Sequence, residues 1–469
     1  MHAKTPYNFI LIRVLWIASI LVSSVLYIEN DYLLFGIFGS MLGFMQTTSC
    51  FRRHLSNDVL SPFGIYHLSM LVSWYLAYPF FFDDSEAFSM SVIYVFIFHL
   101  FSFISLLVFL ELRMDCKIFN KNSLYIVDLV KLKIFFVMGI ILFFFLLRAV
   151  GIDHLIDVLK RIQEIRISLV TMGMYYIKTL VQGMMLIPLT YFILLYARKE
   201  LSNHNCMWML VFILIFILVS IPLGSRALLI APWVTLLISL NISRTPINFI
   251  KSMLPIIIFA IPLYLFVVVR TSFQMDPDTD MYDLMIRFGG DGNLSNIAYG
   301  ATEHIIGRMS IIDNLKNYIE NWDGVVCPFI SIPEFLVQPI PRYFWADKPP
   351  LFNLKATFVT TPFLAEQRIS ETIGVIAEAL YNGGIAGVCI FGLMYGSIVA
   401  VMHKIYIQNK NIILFQVLYI QLFLLPQAWI TEGIINSSAN SFMLLTVIIN
   451  ILFWLVIRKK IDVTGVAPV

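Results

Sequence analysis

Three cations in the sequence stand inside or beside long apolar runs. Arg226 lies in the short segment LGSRALL, Arg270 ends the apolar stretch VVVR, and Lys178 falls within a third apolar run. A guanidinium group stays charged in proteins and binds phosphate through two parallel hydrogen bonds. These residues therefore predict a pocket for phosphate or pyrophosphate. The alternative interpretation is that each cation extends to the lipid headgroups.

A second group of candidate ligand-binding residues occupies the segment PRYFWADKPP at 341–350. Arg342 and Lys348 supply positive charge, and Trp345 supplies a flat apolar surface on which sugar rings or lipids pack. The segment predicts a binding surface for an anionic, partly apolar substrate. The same composition is also typical of an anchor at the membrane interface.

Four residues are candidates for acid–base chemistry. Glu371 and Glu378 are seven residues apart and would share one face of a helix if this stretch is helical. Glu303 and His304 are adjacent, and His304 is the only histidine between 271 and 372. A carboxylate beside an apolar region, or an imidazole, can accept a proton near neutral pH. Helix capping and ordinary polar contacts are the alternative roles.

Metal, cofactor and nucleotide chemistry have little support in the sequence. The spacing Asp276-Pro-Asp278-Thr-Asp280 resembles an acidic metal-binding pattern but lacks the further ligands of a dedicated calcium loop. Phosphate-binding loops, dinucleotide fingerprints and zinc-protease motifs are missing in a suitable context. We predict no metal and no cofactor. The net charge of +3 is too small to indicate nucleic acid as a partner.

The elements that carry these residues are predicted to be membrane helices. Of the 469 residues, 59% are hydrophobic and 13% charged, against roughly 25% charged in soluble domains. Apolar runs of roughly 20 residues recur along the chain and are long enough to cross a bilayer. We predict an all-α polytopic membrane protein with about twelve spans, at 8–28, 32–49, 61–82, 88–110, 132–150, 173–197, 206–223, 227–243, 250–269, 384–402, 412–430 and 439–457.

The basic residues divide the connecting loops into two classes. Under the twelve-span prediction most Lys and Arg side chains fall on one side, whereas the short loops at 29–31, 83–86 and 431–433 contain acidic residues and no base. The positive-inside rule then predicts that both termini are cytoplasmic. It also predicts that the segment 271–372 lies outside, together with 151–170, whose spacing favours an amphipathic helix on the membrane.

The chain therefore divides into three parts. Residues 1–270 form a membrane domain of nine spans, residues 271–372 form one large outer loop, and residues 373–469 contain the last three spans. The loop carries thirteen acidic and seven basic residues, and its prolines cluster at 328–350, where regular helix is excluded. Long irregular loops are usually functional.

The order of these motifs resembles the O-antigen polymerase (Wzy) family of bacterial oligosaccharide repeat-unit polymerases. The resemblance rests on the GSR turn at 224–226, Arg270, PRYFWADKP at 341–349 and ETIGVIAEALYNGGIAG at 371–387. It covers roughly 220–400 well, and the N-terminal half by topology alone.

The resemblance implies a metal-independent glycosyltransferase with a GT-C-like fold in the bacterial inner membrane, with its active site facing the periplasm. Its substrates would be undecaprenyl-pyrophosphate-linked glycans delivered by a flippase, and its partners a flippase and a chain-length regulator. Glu371, Glu378, Glu303 and His304 would be the candidate catalytic residues. Arg226, Arg270, Arg342, Lys348, Trp345 and Lys178 would bind substrate.

Three alternatives stay open. O-antigen ligases share the basic residues but normally carry a His before the final Gly-rich turn, where this chain has Glu371 and Thr372. A flippase or other transporter also has about twelve helices, although transporters generally concentrate polar residues in broken helices near the midplane. A noncatalytic partner in a polysaccharide assembly complex is the third.

Overall fold

The computed structural model of the chain describes its helical parts and a few further residues. The described residues are 60–70, 73–74, 85–116, 125–149, 175–220, 226–243, 312–322, 324, 326–327, 333, 345, 374–423, 428, 430–431, 433–434, 449–451, 453–456 and 458–460. Of the predicted spans, 8–28, 32–49 and 250–269 lie outside this set, as does the predicted amphipathic segment 151–170.

Within the described residues the architecture is helical, with one short antiparallel pair of strands. The elements in chain order are α1 (Pro62–Met70), α2 (Glu86–Glu111), β1 (Tyr125–Val127), α3 (Leu129–Ala149), α4 (Tyr175–Ala197), α5 (Asn203–Ser220), α6 (Arg226–Ser243), α7 (Ile312–Asn321), α8 (Val375–Asn409), α9 (Ile413–Leu422) and β2 (Arg458–Lys460). In the strand pair, Ile126 lies opposite Lys459.

Five described segments are long and apolar enough to cross a membrane: Glu86–Glu111, Leu129–Ala149, Leu180–Ala197, Asn203–Ser220 and Val375–Asn409. The prediction of a helical membrane protein is confirmed at this level, and the total of twelve spans stays a prediction. The predicted boundary at 384 coincides with a break in α8 at Gly383–Gly384, and a short helical segment, 375–382, precedes the break. The strand pair was not predicted, since three-residue strands leave no periodic signal.

Helices α2 and α8 form the first buried core, and they run parallel in close contact. Gly392 and Gly396 lie four residues apart on the face of α8 that meets α2, where the Gly396 Cα lies against the Ser102 carbonyl. Ser105 Oγ donates a hydrogen bond to the Leu393 carbonyl at 2.7 Å. Small residues at this spacing allow two backbones to approach closely, which is how helices associate in lipid.

Helices α3, α4, α5, α6 and α9 form the second core, which is filled by aromatic side chains. The Phe136 and Phe212 rings stack at 3.9 Å between centroids, and the Phe192 ring meets Phe212 edge-on at 5.4 Å. The opposite faces of α3 and α5 expose large apolar residues such as Phe145 and Leu214. Helices that are apolar on every face are typical of a lipid environment.

The Lys- and Arg-bearing ends of several helices lie together, and we call this region the basic end. At the end of α8, Lys404 donates to the Leu112 carbonyl beyond α2, and Gln408 Oε1 accepts from the Cys116 N–H at 2.6 Å. The pairing of β1 with β2 joins the start of α3 to the chain after its last described helix. Lys131 Nζ also donates to the Val456 carbonyl at 2.9 Å.

Candidate functional site

The carboxylate of Glu378 is buried in the half of the molecule away from the basic end. Glu378 lies in the first eight residues of α8, and its relative exposure is 0%. Gly433, from another segment of the chain, lies close to this carboxylate. A Cβ atom built on Gly433 would lie 2.6 Å from Glu378 Oε2 and 3.3 Å from Oε1. Burying a carboxylate inside a protein is costly, so such a group is a candidate functional residue.

Helix α8 is broken immediately after this glutamate. Gly383 and Gly384 leave helical geometry, and Gly384 has φ +56 and ψ −143, a conformation that a side chain would strain. Beyond the break, Gly387 packs directly against the Ala379 carbonyl, so the segment 375–382 lies beside the start of the long helix. The sequence Asn-Gly-Gly therefore allows the short segment and its carboxylate to be held inside the molecule.

The large loop closes the end of this short segment. The Tyr381 carbonyl accepts a hydrogen bond from the Cys327 N–H at 2.8 Å. On the other side of the break, a Cβ on Gly384 would meet the Val326 side chain at 3.7 Å. The loop residues around Cys327 thus fix the position at which α8 is interrupted.

Helix α7 connects the same loop to the α2–α8 core. Its buried face consists of Ile312, Leu315 and Tyr318, which join the cluster formed by α2 and the first turns of α8. The Tyr318 and Trp322 rings are parallel, with 6.3 Å between centroids. This amphipathic helix holds part of the loop against the segment that carries Glu378.

Three predicted substrate-binding residues have described positions. Lys178 is half-buried in the first turn of α4, and Arg226 is the first residue of α6. Helix α5 starts near the basic end, where Lys133 Nζ lies 5.0 Å from the centroid of the Trp208 ring. The five residues between α5 and α6 are too few to run back along the length of α5. Arg226, the first residue of α6, therefore lies at the end away from the basic end. Trp345 is 39% exposed.

The other predicted site residues lie outside the described residues: Glu371, Glu303, His304, Arg270, Arg342 and Lys348. One expectation about them is corrected. Gly374 precedes α8 with φ +91, so the helix does not continue back to Glu371. Because the condition of one continuous helix fails, the seven-residue spacing does not place Glu371 on the helix face of Glu378.

The sequence analysis overlooked a group of buried histidines. His67 on α1, His99 on α2 and His403 on α8 are each at least nine-tenths buried. The Tyr66 ring lies 4.9 Å from His67 and 6.2 Å from His99 between centroids. The signal was available for His67 and His99, because each of them interrupts an apolar run, and intramembrane histidines are rare.

Gly433 was also missed as a site residue. It belongs to the Thr-Glu-Gly loop that the sequence analysis used only for its lack of basic residues. Its φ of +94 is one that favours glycine, and a Cβ atom there would lie 2.6 Å from Glu378 Oε2. A glycine after an acidic residue looks like an ordinary turn, and only the packing reveals the contact.

Together these features define a class of protein: a helical membrane protein with a buried carboxylate beside a broken helix and a loop segment docked on that break. No family model matches the chain, and no curated protein or solved structure matches it.

Proposed function

We propose that the chain joins oligosaccharide repeat units by glycosyl transfer at the membrane face away from its basic end. The substrates are glycans linked to undecaprenyl pyrophosphate in a bacterial inner membrane, with the active site facing the periplasm and both termini in the cytoplasm. The resemblance over 220–400 motivates the reaction. The observation that supports the proposal most directly is that the Glu378 carboxylate is buried in the helical segment before the Gly383–Gly384 break. This glutamate belongs to the stretch 371–387, on which the resemblance partly rests.

The reaction needs a proton acceptor and a site for the leaving group. The acceptor hydroxyl oxygen attacks the anomeric carbon of the donor's reducing-end sugar, and the bond to undecaprenyl pyrophosphate breaks with its electron pair. Glu378 accepts the hydroxyl proton. Arg226, Arg270 and Lys178 stabilise the charge on the departing pyrophosphate, as fixed cations do in other transfers. The reaction requires no metal or nucleotide.

The loop residues supply the remaining contacts in this proposal. Arg342 and Lys348 bind the second lipid-linked chain, and Trp345 provides an exposed ring against which a sugar packs. Glu371 is the second candidate base, and Glu303 with His304 are further candidates. Because Glu378 is fully buried, the acceptor has to displace part of the surrounding structure when it binds.

Purified protein and a synthetic undecaprenyl-pyrophosphate repeat unit test this function directly. We expect the glycan to lengthen without nucleotide, in the presence of EDTA. Glu378→Gln should slow growth by about 100-fold or more, the usual effect of removing a general base. We expect Glu371→Gln also to slow transfer more than His304→Ala.

Glu320→Gln is the matched control, because Glu320 is exposed on α7 in the same half of the molecule. It should leave the growth rate within a factor of two of wild type. In cells, loss of the gene should reduce the surface glycan to one repeat unit, whereas loss of a ligase would leave long unattached chains. Inert protein in the presence of its flippase and chain-length regulator would refute the proposal and favour a noncatalytic role.

Transport of the lipid-linked glycan is the second candidate function. His67 and His99 favour it, because transporters use intramembrane histidines in proton relays. A vesicle assay separates the two functions: a flippase moves the labelled lipid to the opposite leaflet without changing glycan length, and a polymerase lengthens the glycan.

A further inference from the structure

The contact between Gly433 and Glu378 leaves no room for a side chain at position 433. A Cβ there would lie 2.6 Å from Glu378 Oε2 and 2.8 Å from the carboxyl carbon, both inside the 3.0 Å that real Cβ atoms respect. The carboxylate cannot move outward freely, because it is fully buried. Only a residue without a side chain therefore fits between the backbone at position 433 and the carboxylate.

Two hydrogen bonds hold the helical segment that carries the glutamate. The segment 375–382 is fixed at its end by the hydrogen bond from the Cys327 N–H to the Tyr381 carbonyl. Asn382 Nδ2 donates to the Glu378 carbonyl at 2.7 Å, which holds the last turn of the segment together. The backbone of the segment is thus held by these hydrogen bonds, and Gly433 lies close to the carboxylate on another segment of the chain.

We propose that Gly433 is a positioning residue, whose bare Cα sets the location of the Glu378 carboxylate for proton transfer. This inference rests on the proposed function and adds a residue to its site. Gly433 itself supplies no group that takes part in the reaction. It acts through Glu378, since any larger residue displaces the carboxylate from the place where the acceptor hydroxyl arrives.

Gly433→Ala is the direct test, with chain growth measured at varied substrate concentration. The added methyl group displaces the carboxylate by a few tenths of an ångström to about 1 Å, and a displacement of 1 Å can cost about 100-fold in rate. We expect kcat to fall by about 100-fold with KM within a factor of three, because the lipid-binding cations are unchanged. A general loss of folding would instead reduce the amount of active protein.

The same substitution in a Glu378→Asp background separates positioning from backbone strain. Aspartate is shorter by one carbon–carbon bond, roughly 1.5 Å, so the alanine methyl group fits where the glutamate carboxylate was. The strain of alanine at φ +94 is the same in both backgrounds and cancels in the comparison. We expect Gly433→Ala to cost less than about 10-fold in the aspartate background.

Gly324→Ala is the matched control for backbone strain. Gly324 has φ +78, and a Cβ there would meet nothing within 4 Å. This variant should keep kcat within a factor of three of wild type. The thermal unfolding midpoints of wild type, Gly433→Ala, Glu378→Asp and the double variant form a double-mutant cycle for stability. This cycle reports the contact between positions 433 and 378 even if Glu378→Asp is too slow for the chain-growth assay.

The outcomes distinguish the two proposals. Loss of kcat in Gly433→Ala that largely disappears in the aspartate background supports positioning. An equal loss in both backgrounds, normal kcat in Gly433→Ala, or additive unfolding midpoints would overturn positioning and leave the polymerase intact. If wild-type protein does not lengthen the glycan, the proposed function fails and positioning fails with it.

Discussion

The contact between α2 and α8 makes a quantitative prediction about stability. Gly392 and Gly396 are the residues of α8 at which the two backbones are closest. We consider Gly392→Ala and Gly396→Ala, each of which adds one methyl group. Alanine is a better helix former than glycine by roughly 1 kcal/mol, so in an exposed helix either change would stabilise the protein. At this interface we expect the opposite sign.

The expected magnitude follows from the geometry. A Cβ on Gly392 would lie 2.7 Å from the Phe98 carbonyl oxygen, about 0.7 Å short of the 3.4 Å at which ordinary contact begins. The obstacle is backbone, so the helices have to separate, and overpacking of this kind costs about 1–3 kcal/mol. At Gly396 the approach to the Ser102 carbonyl is closer, and we expect about 3 kcal/mol or more.

The assay is thermal unfolding in mild detergent, followed by tryptophan fluorescence. Trp74 is buried in the same core and reports its loss. Gly383→Ala is the matched control, because its φ of −167 is extended and a Cβ there would meet nothing within 4 Å. We expect the unfolding midpoint to be highest for Gly383→Ala, lower for Gly392→Ala and lowest for Gly396→Ala.

A result in which Gly396→Ala unfolds at the wild-type temperature would refute the reasoning. It would mean that α2 and α8 are not packed through these two glycines. A Gly392→Ala variant less stable than Gly396→Ala would retain the interface but contradict the ranking by distance.

Two further predictions concern substrate binding and topology. Arg226→Ala or Arg270→Ala should abolish polymer although the protein still inserts, and Arg→Lys should restore only part, since an ammonium replaces a bidentate fork. Normal polymer in both alanine variants would favour contact with lipid headgroups. Cysteine placed at Asn293 should react with an impermeant thiol reagent added from the periplasm, whereas cysteine at Asn411 should not. Labelling of position 411 from the periplasm would contradict the predicted topology.

The candidate site shows where sequence reasoning succeeds and where it stops. Glu378 was found from sequence because a carboxylate beside an apolar run is costly and therefore informative. The sequence left open whether the stretch around Glu378 is helical. The interruption of α8 falls at Gly383–Gly384, after the glutamate, so the carboxylate belongs to a short helical segment, 375–382. Glycine pairs in apolar sequence do not reveal which side of them is helical.

The sequence by itself determined the helical membrane class and the approximate bounds of several helices. Predicted spans at 88–110 and 132–150 correspond to α2 and α3 within three residues at each end. The physical reason is that a lipid-exposed backbone has to satisfy its own hydrogen bonds, so long apolar runs become helices. This signal is local and needs no knowledge of neighbours.

The tertiary structure alone decided which segments meet. The glycine spacing at 392 and 396 is visible in the sequence, but its partner on α2 lies almost 300 residues earlier. Gly433 reaches Glu378 from beyond α9, and Cys327 reaches Tyr381 from the large loop. Apolar helices in lipid carry few charged or polar groups that specify a partner, so their pairing depends on shape, and shape complementarity becomes visible only when the helices are packed.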